Sequence, residues 1–138
     1  IVYWKNQIEA GIQPARFSQI DLLRSMATLL DQSLEEEVAP DSQDALSVLL
    51  GRGDKDRDFI IHQNLNNTLS ISKDGWKYFT PSEHPAIEHW TRIELGNSPE
   101  PQLYRIMEDP AEKNNVAGKY PAIARKLSFM LDSIRSNN

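Results

Sequence analysis

Three histidines are the side chains in this sequence best suited to acid–base or metal chemistry. His84 and His89 each follow a glutamate, a pairing that could suit a metal ion. Their five-residue spacing does not place both on one helical face, Pro85 interrupts the segment, and no third ligand is obvious. The pattern therefore favours ordinary loop residues over a metal site.

The third histidine lies in a segment that the sequence predicts to be a strand. Alternation puts His62 on the same face as Ile60, so it is either a hydrogen-bonded, half-buried histidine or a residue that faces a ligand. Trp76 serves core or edge packing, or stacks on a ligand, and Lys77 is most simply an exposed charge. No nucleophile, base and orienting partner come together in the pattern. We therefore expect no catalytic residue and no metal ligand in this chain.

The amino-acid composition limits the kinds of molecule that this chain can bind. The 138 residues fit one ordinary soluble domain, and a net charge of −5 argues against nucleic acid or an anionic membrane as a partner. The absence of cysteine excludes disulfides, thiolate zinc sites and a cysteine nucleophile within the sequence. No apolar run approaches the about 18 residues that a membrane span needs, so we expect no span.

The stretch Thr68 to Thr80 predicts two strands joined at Asp74-Gly75, a dipeptide typical of two-residue hairpin turns. Further strands are predicted over 58–63 and 102–107, which gives a small antiparallel sheet of about four strands. A final helix begins at Pro121. Its apolar stripe, which should cover the hairpin's apolar face, consists of Ile123, Leu127, Met130, Leu131 and Ile134.

The first third of the chain predicts different elements. Ile1 to Trp4 is an apolar run of the kind found in buried strands, and a helix with a wide apolar face starts after Ser18. A second helix is predicted from Pro40, with Gly51 ending it. Because the chain starts within a predicted strand, we expect it to be a fragment. We also expect it to self-associate, or to dock the first helix on its own sheet.

Several segments in order resemble the downstream part of bacterial type I sulfatases of the alkaline-phosphatase superfamily. They are IVYWKNQIEAG (1–11), SQIDLLRSMATLL (18–30), PDSQDALSVLLG (40–51), ISKDGWKYF (71–79) and GNSPEPQLYRIMEDPAEKNNVAGKYP (96–121). The turn Asp109-Pro110-x-Glu112-x-x-Asn115 is especially typical of that family. One departure is that Asp21-Leu22-Leu23-Arg24-Ser25 stands where the family usually has Asp-x-x-Pro-Thr.

The resemblance implies an α+β fold in which residues 1–51 end a larger α/β domain, with a strand and helix left over from it, and 52–138 form a C-terminal subdomain. It implies a parent enzyme that hydrolyses sulfate esters of a small molecule or glycan with calcium and a formylglycine made within a C/S-x-P-S/A-R motif. That motif is absent here, so this chain should bind no cofactor and be inactive alone. The resemblance also implies that the parent enzyme is periplasmic or extracellular. The candidates for the substrate rim are His62, Trp76, Lys77, His84 and His89. The alternative is a carbohydrate-binding or oligomerisation module without catalysis.

Overall fold

The computed structural model describes residues 1–55 and 57–136. The chain divides into two units, Ile1–Arg57 and Asp58–Asn138. The domain boundary predicted between residues 51 and 52 stays a prediction. Within the described ranges, no helix has the length and apolar character needed to cross a bilayer.

In the first unit, a 3₁₀ turn at Gln19–Asp21 leads into helix α1, Leu22–Leu29, and a second 3₁₀ turn covers Glu36–Val38. The predicted start after Ser18 is confirmed, because the Ser18 N–H donates to Asp21 Oδ2 at 3.0 Å. This carboxylate satisfies a backbone donor that the start of a helix otherwise leaves without a partner.

Helix α2 covers only Leu46–Leu49, so the longer helix predicted from Pro40 is wrong. The reason is that side chains near α1 use the backbone donors of the preceding segment. Gln43 N–H donates to the buried Asp21 carboxylate at 2.9 Å, and Ala45 N–H donates to Ser25 Oγ at 2.9 Å. Gly51 has φ +69 and ends the helix as predicted.

Residues 1–4 do not form the predicted strand. A strand requires a hydrogen-bonded neighbour, and in the part of the chain that the structure describes, no strand pairs with them. The apolar face of α1 is likewise exposed. The exposed residues of α1 and of the positions that flank it, with exposures of 37–68%, are Ile20, Leu22, Leu23, Met26, Leu29 and Leu30.

The second unit is a four-stranded antiparallel sheet with a C-terminal helix, as predicted. The strands are β1 Ile60–Gln63, β2 Leu69–Lys73, β3 Trp76–Phe79 and β4 Gln102–Arg105, in spatial order β1-β2-β3-β4, and helix α3 is Pro121–Ser136. Strands β1 and β4 are each two residues shorter than predicted.

The β2–β3 hairpin has the predicted turn and register. Asp74 and Gly75 both have positive φ, 52° and 78°, as a type I′ turn requires, and Lys73 pairs with Trp76. Alternate residues of the sheet then face α3, and the apolar ones among them form a core with Leu127 and Leu131, which are buried. This side of the sheet, which we call the helix face, carries the core residues Ile71, Tyr78 and Leu103.

Candidate functional site

The side of the sheet opposite α3, which we call the open face, presents two rows of side chains. The strand registers align one row as His62, Ser70, Phe79 and Gln102, and the other as Ile60, Ser72, Lys77 and Tyr104. Because alternate residues of a strand point to opposite faces, the sequence places these polar and aromatic groups together, away from the core.

One wall over the open face is a ribbon of residues 86–95. Its two arms pair through Leu95 N–H to the Ala86 carbonyl at 2.8 Å and Glu88 N–H to the Ile93 carbonyl at 2.9 Å. Asn64 fastens this ribbon to the turn after β1, because its Nδ2 donates to the Leu95 carbonyl at 2.8 Å. This part of the connection between β3 and β4 is therefore held by hydrogen bonds as a wall of the site.

The facing wall is the turn 109–115. Asp109 accepts hydrogen bonds from the N–H groups of Lys113 at 3.1 Å and Asn114 at 2.8 Å, and these bonds lower the pKa of its carboxyl. Glu112 has φ +51, a left-handed conformation that side chains other than glycine rarely adopt. From this position Glu112 Oε1 accepts a hydrogen bond from Lys77 Nζ at 2.6 Å, which joins the turn to β3.

The sheet and the two walls line an open cavity of about 720 Å³, within the usual range of small-molecule sites. Its polar lining includes His62, Asn64, Thr68, Ser70, Lys77, Glu94, Asn97, Gln102 and Glu112. Its apolar and aromatic lining includes Phe79, Ile87, Leu95 and Tyr104. Phe79 and Tyr104 meet edge to face, with ring centroids 6.1 Å apart. The cavity therefore offers hydrogen-bonding groups beside aromatic surface.

Burial and neighbouring charges set the protonation of two lining residues. Burial lowers the pKa of His62, the Lys77 ammonium lowers it further, and Glu112 opposes this shift. The imidazole is therefore predominantly neutral at pH 7. Burial, with Glu112 and Asp109, raises the pKa of the Tyr104 phenol, which donates a hydrogen bond to Gln102 Oε1 at 2.6 Å.

We expect His62 to titrate below 6.5, its ordinary pKa, in the folded protein. Replacing Lys77 with methionine should raise this pKa because it removes a nearby positive charge, and Glu112→Gln should lower it. The Cε1 proton shift measured by NMR against pH reports both effects, with Lys113→Met as the control. Because the folded state resists protonation of His62, acidification through pH 6.5 should cost folding stability. A His62 pKa that did not move in Lys77→Met would contradict this account.

Of the five rim candidates, the structure brings His62 and Lys77 together in the cavity. Trp76 lies on the helix face, with its ring edge-on to Tyr120 at 5.0 Å between centroids, so it packs and does not line the cavity. His84 and His89 are exposed and lie outside the cavity lining.

Sequence reasoning missed most of the lining, including Thr68, Ser70, Phe79, Tyr104 and Glu112. Strand alternation could have placed Phe79 and Tyr104 beside Lys77. The Asp-Pro-x-Glu turn could have drawn attention to Glu112 but not to its partner 35 residues away. Among residues 1–55 and 57–136, no three His, Cys, Asp or Glu side chains converge in a way that could hold a metal ion.

Nearly the whole chain is similar in sequence to a known protein. The sequence is 52% identical over 136 residues to an N-acetylgalactosamine-6-O-sulfatase of Bacteroides thetaiotaomicron, a match that covers 99% of this chain and 27% of the relative. No protein-family model matches the sequence.

Solved structures have the same fold. A Bacteroides thetaiotaomicron structure named 6S-sulf, from work on its metabolism of multiple glycosaminoglycans, matches with a TM-score of 0.87 and 51% identity, over 96% of this chain and 28% of that one. A 2-O GAG sulfatase matches with a TM-score of 0.57 and 21% identity, over 85% and 24% of the two chains, and supports the fold alone. The chain is thus similar in sequence and fold to a C-terminal portion of a sulfatase, and it spans about a quarter of the length of the relatives it matches.

Proposed function

We propose that this chain is the C-terminal part of a sulfatase, an enzyme that hydrolyses the sulfate ester of a glycan. The observation that carries the proposal is the 52% identity to an N-acetylgalactosamine-6-O-sulfatase over almost every residue of the chain. The substrate class we propose is accordingly a glycan that contains N-acetylgalactosamine 6-sulfate. The cavity on the open face forms part of the wall of the substrate cleft.

The catalytic groups belong to the remainder of the enzyme. The nearest approach to a C/S-x-P-S/A-R motif is Ile12-Gln13-Pro14-Ala15-Arg16, in which isoleucine stands at the position of the residue that would become formylglycine. An isoleucine side chain has no sulfur or hydroxyl to convert into an aldehyde, so these residues do not fit the group. The formylglycine and the calcium ion then lie in the rest of the protein, and the enzyme acts outside the cytoplasm.

The test uses the complete reading frame that contains this sequence. We expect it to encode a C/S-x-P-S/A-R motif, and we expect the purified enzyme to release sulfate from N-acetylgalactosamine 6-sulfate. The 138-residue chain alone should release none from a chromogenic aryl sulfate in the presence of calcium. A reading frame without the motif would overturn the proposed activity, and turnover by the isolated chain would overturn the assignment of catalysis to the remainder.

A second candidate function, an assembly module without catalysis, draws on the exposed apolar face of α1. Fully burying one large apolar side chain is worth about 1.5–3 kcal/mol, so several exposed together favour association. We expect the isolated chain to form dimers or larger species by light scattering. Leu23→Glu with Leu30→Glu should reduce association, whereas Phe129→Glu, an exposed position on α3, should not. A monomer at all concentrations would refute the expectation.

A further inference from the structure

The tip of the 86–95 ribbon, residues 88–93, exposes two large apolar side chains. Trp90 is 86% exposed and Ile93 is 60% exposed. In the part of the chain that the structure describes, the Trp90 ring meets one other ring, that of His89, edge-on with centroids 5.0 Å apart. Large apolar side chains that are exposed together mark surfaces at which a protein binds another molecule. The tip is therefore a candidate binding surface.

Hydrogen bonds within the tip fix the loop that carries Trp90. Glu88 Oε2 accepts a hydrogen bond from the N–H of Thr91 at 2.5 Å and another from Thr91 Oγ1 at 2.8 Å. The Glu88 backbone closes the loop, since its N–H donates to the Ile93 carbonyl at 2.9 Å and its carbonyl accepts from the Arg92 N–H at 3.1 Å. A loop that is already ordered loses little affinity to ordering when a ligand binds.

Arg92 adds a cationic group to the tip. It is exposed, and its guanidinium makes no hydrogen bond or ion pair with any described residue. Its φ is +59, a left-handed conformation that costs stability for an arginine and that glycine adopts freely. Residues in such conformations concentrate at functional sites. A free guanidinium binds an oxyanion through two parallel N–H bonds, so Arg92 suits an anionic ligand.

The ribbon holds this tip at the edge of the cavity. Ile87 and Glu94 pair across the ribbon and both line the cavity. Trp90 is three residues beyond Ile87, which is at most about 10 Å along an extended chain. The base of the ribbon is anchored by Asn97, a buried residue whose Nδ2 donates to the Pro85 carbonyl at 2.8 Å. A ligand that extends out of the cavity along the ribbon would therefore meet the tip.

We infer that the ribbon tip binds the sulfated glycan away from the ester that is cleaved, with Trp90 stacked on the face of a sugar ring and Arg92 paired with a sulfate group. The inference rests on the proposed function for the identity of the glycan. A sugar ring presents C–H groups on its faces, which pack on an aromatic ring. The guanidinium favours this ligand over an apolar protein surface, because covering an unpaired charge with protein is unfavourable.

Two exposed aromatic residues provide a matched test in the complete enzyme, with a tetrasaccharide that contains N-acetylgalactosamine 6-sulfate as substrate. Trp90→Ala should raise KM for the tetrasaccharide about threefold to tenfold, the effect of losing one stacked ring. It should leave the melting temperature unchanged, because the side chain is exposed. Phe129→Ala removes an aromatic side chain that is 75% exposed on α3 and lies outside the cavity lining. It should change neither KM nor the melting temperature.

Replacing Arg92 with glycine separates a role in binding from a role in folding. Arg92→Gly relieves the left-handed conformation, so its melting temperature should be no lower than that of the wild type. Its KM for the tetrasaccharide should nevertheless rise about twofold to fivefold, as for one exposed ion pair. The increase of KM with NaCl concentration should also become less steep, because one screened charge pair is lost. Lys126→Gln, which removes an exposed cation from α3, should keep the salt dependence of the wild type.

A wild-type KM in either Trp90→Ala or Arg92→Gly would overturn the inference. A lower melting temperature or a changed oligomeric state of Trp90→Ala, by light scattering, would also overturn it, because the tip would then be covered by protein. If the complete enzyme released no sulfate but bound the tetrasaccharide in calorimetry through Trp90 and Arg92, the proposed function would fail and the glycan site would stand.

Discussion

Replacing Asn115 with alanine is expected to lower the free energy of unfolding by about 2–4 kcal/mol, because one side chain makes three hydrogen bonds at the end of the 109–115 turn. Its Oδ1 accepts from the N–H groups of Leu103 and Ala117, both at 3.0 Å, and its Nδ2 donates to the Pro101 carbonyl at 3.1 Å. Leu103 and Ala117 are buried, so the alanine variant removes the acceptor of two backbone donors in buried residues. The midpoint of urea denaturation measures the loss.

Two companion variants identify the cause. Asn115→Asp keeps both acceptor contacts and loses only the donation to Pro101, so it should cost about 1 kcal/mol. Asn114→Ala alters the adjacent exposed asparagine. The variant keeps the backbone N–H bond to Asp109 and loses only a side-chain contact with that carboxylate, so it should change stability by less than about 1 kcal/mol. Equal losses in Asn114→Ala and Asn115→Ala would show that general disturbance of the turn, rather than the three bonds, is responsible.

Alanine at Gly96 is expected to destabilise the protein by about 2–5 kcal/mol through two additive effects. Gly96 has φ +70, where a side chain costs about 1–2 kcal/mol. A Cβ atom there would also lie 2.7 Å from Cε1 of Phe79, and crowding of a packed site costs about 1–3 kcal/mol. The Phe79 ring packs against Tyr104 and lies 4.7 Å from Lys77 Nζ, so its movement would also disturb the cavity.

Two other glycines separate the effects. Gly75→Ala has the same unfavourable φ, at +78, but its nearest neighbour would be Met107 Cγ at 3.9 Å, so it should cost only the backbone contribution of about 1–2 kcal/mol. Gly118 has neither a positive φ nor a described atom within 4 Å of the added carbon, and its alanine variant should lie within about 0.5 kcal/mol of wild type. Thermal and urea denaturation of the three variants give the comparison. A Gly96→Ala loss no larger than that of Gly75→Ala would exclude crowding against Phe79.

Local signals in the sequence were sufficient to predict the hairpin and the terminal helix of the second unit. The Asp74-Gly75 turn requires positive φ at both residues, which determines the register of the hairpin and hence which side chains share a face. The stripe on α3 has the 3.6-residue period of a helix with one buried side, and its members Leu127 and Leu131 are buried against the sheet. Turns and periodicity depend on neighbouring residues, so one sequence suffices to predict them.

The second helix and the cavity could not be predicted from the sequence because they depend on contacts between residues that are distant in the chain. The buried Asp21 carboxylate and Ser25 hydroxyl accept hydrogen bonds from the backbone N–H groups of Gln43 and Ala45. The helix predicted from residue 40 therefore does not form there, because tertiary contacts use these backbone donors. The cavity depends on similar long-range contacts. Asn64 binds the ribbon 31 residues later, and Lys77 binds Glu112, 35 residues later. Trp76 was a ligand candidate by residue type, but strand alternation assigns it to the core side.

The division of the sheet into a helix face and an open face determines which substitutions affect the core and which affect the cavity. Ile71, Tyr78 and Leu103 hold the sheet on α3, whereas their immediate neighbours Ser70, Lys77 and Gln102 line the cavity. Of two adjacent positions in a strand, one therefore packs in the core and the other lines the cavity, and a substitution at one need not disturb the other. A combinatorial library that varies only the three cavity positions would change ligand binding and leave the core residues unaltered. Variants could then be selected for binding without a separate selection for folding.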